Sequence, residues 1–390
     1  MRFCGLSVSV VLCCQLVSAL LPENSPEDAT LFFEGLASKY GHPARKYDVI
    51  TKDGYILTLH NLPGRSRVPV LLMHGFHATS DAWLLRGNIS LAIVLANAGH
   101  DVWVANSRGN RYSRRHQHLD PDRDPAFWNY SFHEMGLYDL TATIDKVLEK
   151  TGAEKLNAIG HSQGTMLFFA LGSTRPEYNA KINILIALGP VCFLNHIPPT
   201  FSAIIKLIPT WGKIMYEQNI YEAFNKPTRG IIRQLCTLPV VGYQLCFEGV
   251  IFTIVGRDSK EYSPEFAEVL FPHFPTSGSV KNILHLAQLH NRATFAQYDY
   301  GFLKNIAVYG ASIPPEYDLS KVAMPVAIIV GDNDKLSTLK DVSTLRSKLP
   351  NVVDYVVSPY KQFNHLDDIW GAHMDVYLNP YIFKILEQYS

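Results

Sequence analysis

In Leu156-Asn157-Ala158-Ile159-Gly160-His161-Ser162-Gln163-Gly164-Thr165-Met166-Leu167-Phe168-Phe169-Ala170-Leu171, a short strand-like run meets a Gly-x-Ser-x-Gly turn, and a run of helical composition follows. The five-residue pattern alone recurs by chance, at a surface serine between flexible glycines. Here its flanks give it meaning. Leu156 to Ile159 reads as a strand and Thr165 to Leu171 as a helix, and a strand-to-helix turn this sharp lifts a serine hydroxyl above the C-terminal edge of a sheet. The positions two residues either side must then be small, so that strand and helix can approach. Ser162 is the candidate nucleophile.

Working outward, short apolar runs recur at strand length: Val70 to Met73, Val102 to Ala105, Ile182 to Leu188, Val326 to Val330 and Val352 to Val357. Each is followed by a loop and, in most cases, a helical stretch. Continuous apolar runs alternating with helices predict a parallel sheet covered on both faces, hence an α/β fold. Ahead of them, Tyr47 to Thr51 and Tyr55 to Leu59 flank a Lys52-Asp53-Gly54 turn and read as a hairpin. The rhythm breaks over 190–314, where helical stretches and scattered prolines suggest an insertion. The core is then expected in 20–189 and 315–390. Within 189–213 the only charges are Lys206 and Lys213, among many large apolar residues. Such a segment suits equally a lid that meets a lipid surface or the insertion's own core.

A serine nucleophile needs a base, and the base an orienting carboxylate. In chain order the acid precedes the histidine, each in a loop after a late strand. Val326 to Val330 runs into Gly331-Asp332-Asn333-Asp334, and Val352 to Val357 precedes Phe363-Asn364-His365-Leu366-Asp367. His365 is the expected base; His133, His161, His285, His290 and His373 lack its place in the order. Loop position leaves both Asp332 and Asp334 open as the acid. Leu72-Met73-His74-Gly75-Phe76 ends a strand at the usual site of an oxyanion donor, so the backbone N–H groups of Phe76 and Gln163 are the candidate pair. No metal or cofactor is expected. His133-Glu134-Met135-Gly136 starts like a zinc helix, but position 137 is leucine, and no Walker-type or G-x-G-x-x-G loop occurs.

The first nineteen residues read as an address. Arg2, an apolar run from Leu6 to Leu16 and Val17-Ser18-Ala19 fit a secretory signal peptide covering 1–19. The run is shorter than the ~20 residues that span a bilayer, and no later segment is expected to span one once the signal is removed. Cys4, Cys13 and Cys14 would leave with it. Of the three that remain, Cys236 and Cys246 are close in sequence and form the expected disulfide, with Cys192 a buried thiol. Asn88-Ile89-Ser90 and Asn129-Tyr130-Ser131 are glycosylation sequons. With 35 basic and 35 acidic residues, the chain lacks the basic excess of a nucleic-acid binder. Its 15 histidines suit an acidic setting, where they would add charge.

With those residues placed, the chain resembles the acid lipase family, which contains gastric lipase and lysosomal acid lipase. The likeness spans nearly the whole mature chain. It is carried by Asp53-Gly54-Tyr55-Ile56-Leu57, His74-Gly75-Phe76, Asn106-Ser107-Arg108-Gly109-Asn110, Phe132-His133-Glu134-Met135, Gly160-His161-Ser162-Gln163-Gly164 and Asn364-His365-Leu366-Asp367. The resemblance implies an α/β-hydrolase fold, with a mostly parallel central sheet flanked by helices and an inserted helical cap or lid. It places the triad on Ser162, Asp334 and His365, the oxyanion donors on Phe76 and Gln163, and the cysteine bridge on Cys236 and Cys246. It also implies hydrolysis of triacylglycerols or cholesteryl esters at an oil–water or lipid-particle surface, without a cofactor, by a secreted or lysosomal protein. Phe76 stands where these lipases often carry leucine, a change a backbone donor tolerates. The insertion matches least well. Two other readings compete: an esterase or thioesterase for shorter soluble acyl groups, and a non-catalytic lipid-binding protein on the same scaffold.

Overall fold

The computed structural model describes residues 26–389, so the expected signal peptide lies outside the described residues. Eight strands form one sheet in the order β1-β2-β4-β3-β5-β6-β9-β10. They are β1 Arg45–Ile50, β2 Ile56–Leu62, β3 Val70–Met73, β4 Val102–Val104, β5 Leu156–His161, β6 Ile182–Leu188, β9 Val326–Val330 and β10 Val352–Val357. β1 and β2 form the expected antiparallel hairpin, with Tyr47 opposite Leu59, and β2 runs antiparallel to β4. From β4 to β10 every neighbour is parallel.

The continuous apolar character of these strands follows from what covers them. Leu71, Met73, Ala158, Leu185, Ala187, Ile328 and Val330 face one buried cluster, which holds Ile144, Val147, Phe168 and Leu171 from helices. Their sequence neighbours Val70, Leu72, Ile159, Ile184, Ile186, Ala327 and Ile329 face the opposite cluster, with Leu36, Leu91, Leu95, Ile382 and Ile385. Alternate residues of each strand thus enter different cores, and neither face tolerates polarity. The helix Gln163–Thr174 is apolar all round, and every residue but Thr174 is buried.

Between β6 and β9 the chain is mainly helical, with Pro199–Glu217, Lys226–Cys236, Pro264–Leu270, Val280–Arg292 and Phe302–Tyr309 among its helices. It also holds a two-stranded antiparallel sheet, β7 Glu222–Ala223 and β8 Gly278–Ser279, too short for any alternation to register in sequence. The helix Pro199–Glu217 packs by one face only. Gly212 lets it press on Val280–Arg292, where an added Cβ would stand 2.4 Å from Leu284 Cδ2. Ile204, Leu207, Trp211 and Ile214 lie on the other face, exposed to solvent. No single helix among the described residues is long and apolar enough to cross a membrane.

Candidate active site

The turn after β5 is as tight as its glycines require. Ser162 sits at φ 53° and ψ −122°, a left-handed conformation that a side-chain-bearing residue rarely adopts. A Cβ on Gly164 would lie 2.4 Å from Met73 O and 2.7 Å from His74 O, so only glycine lets the helix pass the end of β3. Such strain persists where the surroundings over-determine it. Here β5 is locked between β3 and β6, and Ser162 N donates to Leu188 O at 3.0 Å.

Ser162 Oγ lies 2.8 Å from His365 Nε2, and His365 Nδ1 lies 2.7 Å from Asp334 Oδ2. All three residues are buried. Asp334 Oδ1 accepts from the N–H groups of Leu336 at 2.8 Å and Ser337 at 2.7 Å, which fixes the carboxylate plane. With Asp334 accepting from Nδ1–H, His365 presents the Nε2 lone pair to the serine hydroxyl. Asp332 points instead to the surface, 3.4 Å from the exposed Lys361. Burial and bonding thus separate two carboxylates that loop position left level.

The residues around His365 explain the Asn364-His365-Leu366-Asp367 segment. Asn364 Oδ1 accepts from Leu366 N and Asp367 N, while Asn364 Nδ2 donates to Gly256 O. Asp367 Oδ2 accepts from Asn364 N at 2.6 Å. His161 Nε2 donates to His365 O at 2.9 Å, so this histidine holds the backbone of the candidate base. The others lie elsewhere: His133 meets Tyr317, His285 meets Ser131 and Ala296 O, His290 meets Leu194 O and Ser202, and His373 meets Glu261.

Gly75 packs against Ser162, where a Cβ would stand 3.1 Å from Ser162 Cβ, so the loop carrying Phe76 borders the serine directly. Its geometry is held by His74, whose Nδ1 donates to Gly75 O and whose Nε2 accepts from Ser107 N. Gln163 opens its helix, and a first-turn N–H has no intrahelical acceptor. The Gln163 side chain reaches the inserted segment, accepting from Asn282 Nδ2 at 2.9 Å. Cys236 and Cys246 are bonded, with Cα atoms 5.6 Å apart, and Cys192 is a buried free thiol. Asn88 and Asn129 are both exposed. Among the described residues, no group of three or more His, Cys, Asp or Glu side chains is placed to hold a metal.

Two electrostatic features escape a sequence. Several histidines are interior: burial pushes His74 down to about 4, and His161 and His285 to about 3. These gain no charge in mild acid, and their folded form loses stability as pH falls below about 6.5. Asp368 is fully buried, and neither carboxyl oxygen has a hydrogen-bond partner among the described residues. Burial, then the charges of Asp334 and Asp367, push its carboxyl well above the usual range. The fold therefore favours its protonated form. That contribution is complete below the unfolded value of about 3.9 and is lost as pH rises toward the folded value. Asp368→Asn keeps a neutral group at every pH. Its thermal midpoint should exceed the wild type's at pH 7.5 and match it more closely at pH 4.5, by on the order of 2 °C per kcal/mol. An offset equal at both pH values would contradict a raised Asp368.

A family model described as the alpha/beta hydrolase fold matches residues 68–369, and one described as a partial alpha/beta-hydrolase lipase region matches 33–87. The chain is 38% identical over 365 residues to Lipase 1 of Drosophila melanogaster, covering 93% of this chain and 81% of that protein. It is 36% identical over 378 residues to gastric triacylglycerol lipase of Homo sapiens, covering 92% and 91%. Among solved structures, a putative aryl esterase from Burkholderia cenocepacia superposes with a TM-score of 0.52 at 15% identity, covering 88% of this chain and 98% of that one. An epoxide hydrolase from Vigna radiata superposes with the same TM-score and coverage at 18% identity. These two likenesses concern the fold alone.

Proposed function

Because the chain belongs to the gastric and acid lipase family of α/β-hydrolases, we propose that it releases fatty acids from triacylglycerols, cholesteryl esters or both through an acyl-enzyme on Ser162. The observation that carries this reading is the unbroken chain of hydrogen bonds from Ser162 Oγ through His365 to Asp334. His365 Nε2 takes the hydroxyl proton as Ser162 Oγ attacks the ester carbonyl, and Asp334 steadies the imidazolium that forms. The N–H groups of Phe76 and Gln163 receive the oxyanion of the tetrahedral intermediate. His365 returns the proton to the leaving alcohol. Water then repeats the sequence on the acyl-enzyme and frees the fatty acid. Every proton is handled by these side chains, so the chemistry calls for no metal or cofactor.

The helices of 190–314 form the cap, and its outer face supports a lipid surface as partner. Ile204, Leu207, Trp211 and Ile214 expose a contiguous apolar stripe, with Leu235, Val240, Val241 and Leu245 exposed further along the same insertion. The Cys236–Cys246 bond supports passage through an oxidising secretory compartment, toward secretion or the lysosome. Asn88 and Asn129 are then the glycan acceptors.

Fatty-acid release should be measured on emulsified long-chain triglyceride and cholesteryl ester beside a soluble short-chain ester. Faster turnover of the emulsified esters is expected. Hydrolysis confined to the soluble ester would replace the lipase with an esterase and move attention to the cap.

A further inference from the structure

We propose that His77 is a positioning residue that ties the oxyanion loop to the inserted cap, so that the cap's two-stranded sheet sets where the Phe76 N–H points. This rests on the reading of Phe76 as an oxyanion donor. His77 follows Phe76 directly and has φ 48°, a conformation that costs a residue with a side chain and needs an outside hold. The hold comes from the insertion. His77 Nδ1 donates to Thr276 O at 2.9 Å, and Thr276 N donates back to His77 O at 2.8 Å.

Shape agrees with the hydrogen bonding. A Cβ on Gly278 would lie 2.7 Å from His77 Cε1, so the ring fills the space that this glycine of β8 leaves. The ring also stands edge-on to Phe224, with centroids 4.7 Å apart, and to Phe76 at 4.1 Å. Phe224 directly follows β7, which pairs with β8 and continues from the exposed-faced helix Pro199–Glu217. One imidazole therefore touches both strands of the cap's small sheet, or the residue next to them, and adjoins the donor residue. Burial pushes its pKa down to about 4, which keeps Nδ1–H a donor from a neutral ring above that pH. A displacement of the cap sheet draws on the backbone of His77 and so re-aims the amide one residue earlier. Catalysis is sensitive to misplacement of this kind, because a donor stabilises the oxyanion only within about 2.7–3.1 Å.

The test uses His77→Gly, His77→Leu and His77→Asn in the full chain. Glycine accepts the positive φ without the ring, leucine keeps bulk without a donor, and asparagine places Nδ2 where Nδ1 stood and tolerates the backbone. Active sites are counted by fluorophosphonate titration, so that any loss of folded protein is separated from rate. On a soluble short-chain ester, kcat per titrated site should fall roughly ten- to hundredfold in the glycine and leucine variants, below the loss from deleting a donor outright. KM should change less than kcat, and asparagine should recover much of the rate. A kcat within twofold of wild type in His77→Gly, a loss confined to KM, or an asparagine variant as slow as leucine would overturn the proposal. A wild-type protein that takes no label would instead overturn the hydrolase reading on which it stands.

Discussion

Replacing Ser162 with alanine is expected to lower ester hydrolysis by about 10⁶-fold in kcat, the scale seen when the nucleophile of a serine triad is removed. The change deletes one hydroxyl and its hydrogen bond to His365 Nε2 and leaves the backbone as it was: Ser162 N still donates to Leu188 O, and Thr165 N still donates to Ser162 O. What remains is the weak help of the oxyanion donors to a water attack. Removing His365 as well should add little, since nucleophile and base act as one unit. The variant should melt no lower than the wild type, because the turn is held by backbone hydrogen bonds that alanine keeps. Rates on a soluble ester beside a thermal melt check both halves; a variant that keeps even a hundredth of the rate would remove Ser162 from its role.

The two carboxylates of the Gly331–Asp334 loop should differ as sharply. Asp334→Asn is expected to cost about 10⁴-fold in kcat. The amide can keep its oxygen on the N–H groups of Leu336 and Ser337, which leaves an NH₂ facing His365 Nδ1. That donor favours the tautomer with the proton on Nε2, where it cannot accept from Ser162. Asp332→Asn should change kcat less than twofold, since it loses only an exposed contact to Lys361, and such pairs contribute little. Equal losses in the two variants would assign the acid wrongly.

That pair marks the limit of what the residues reveal unaided. Ser162 is legible because its turn needs glycine at 160 and 164 between a strand and a helix, a local demand written locally. His365 is legible from its place after the last apolar run. Asp334 is not separable from Asp332 on the same ground, because the decision lies in burial and in two amides that curl back from Leu336 and Ser337. The parallel sheet is legible since strands buried on both faces cannot hide their apolarity, and β3, β6, β9 and β10 keep the bounds their sequence suggests. β7 and β8, at two residues each, carry no pattern to find. His77 and Asp368 are equally silent: the first gains its meaning from the distant Thr276 to Gly278, and the second from burial and the charges of Asp334 and Asp367. Fifteen histidines suggested charge in acid, yet several are neutral core groups, a distinction that composition does not make. The amphipathic face of Pro199–Glu217 shows why the apolar run from 189 to 213 suited two readings: one side is core against Leu284, and the other meets solvent.

The most direct test of the account is to treat the folded wild-type protein with a fluorophosphonate, follow ester hydrolysis as it falls, and map the modified peptide by mass spectrometry. One phosphonyl group per chain, on Ser162, appearing in step with the loss of hydrolysis and absent from Ser162→Ala, is the expected result. Full hydrolysis with Ser162 unmodified, or inactivation that tracks a different residue, would contradict it.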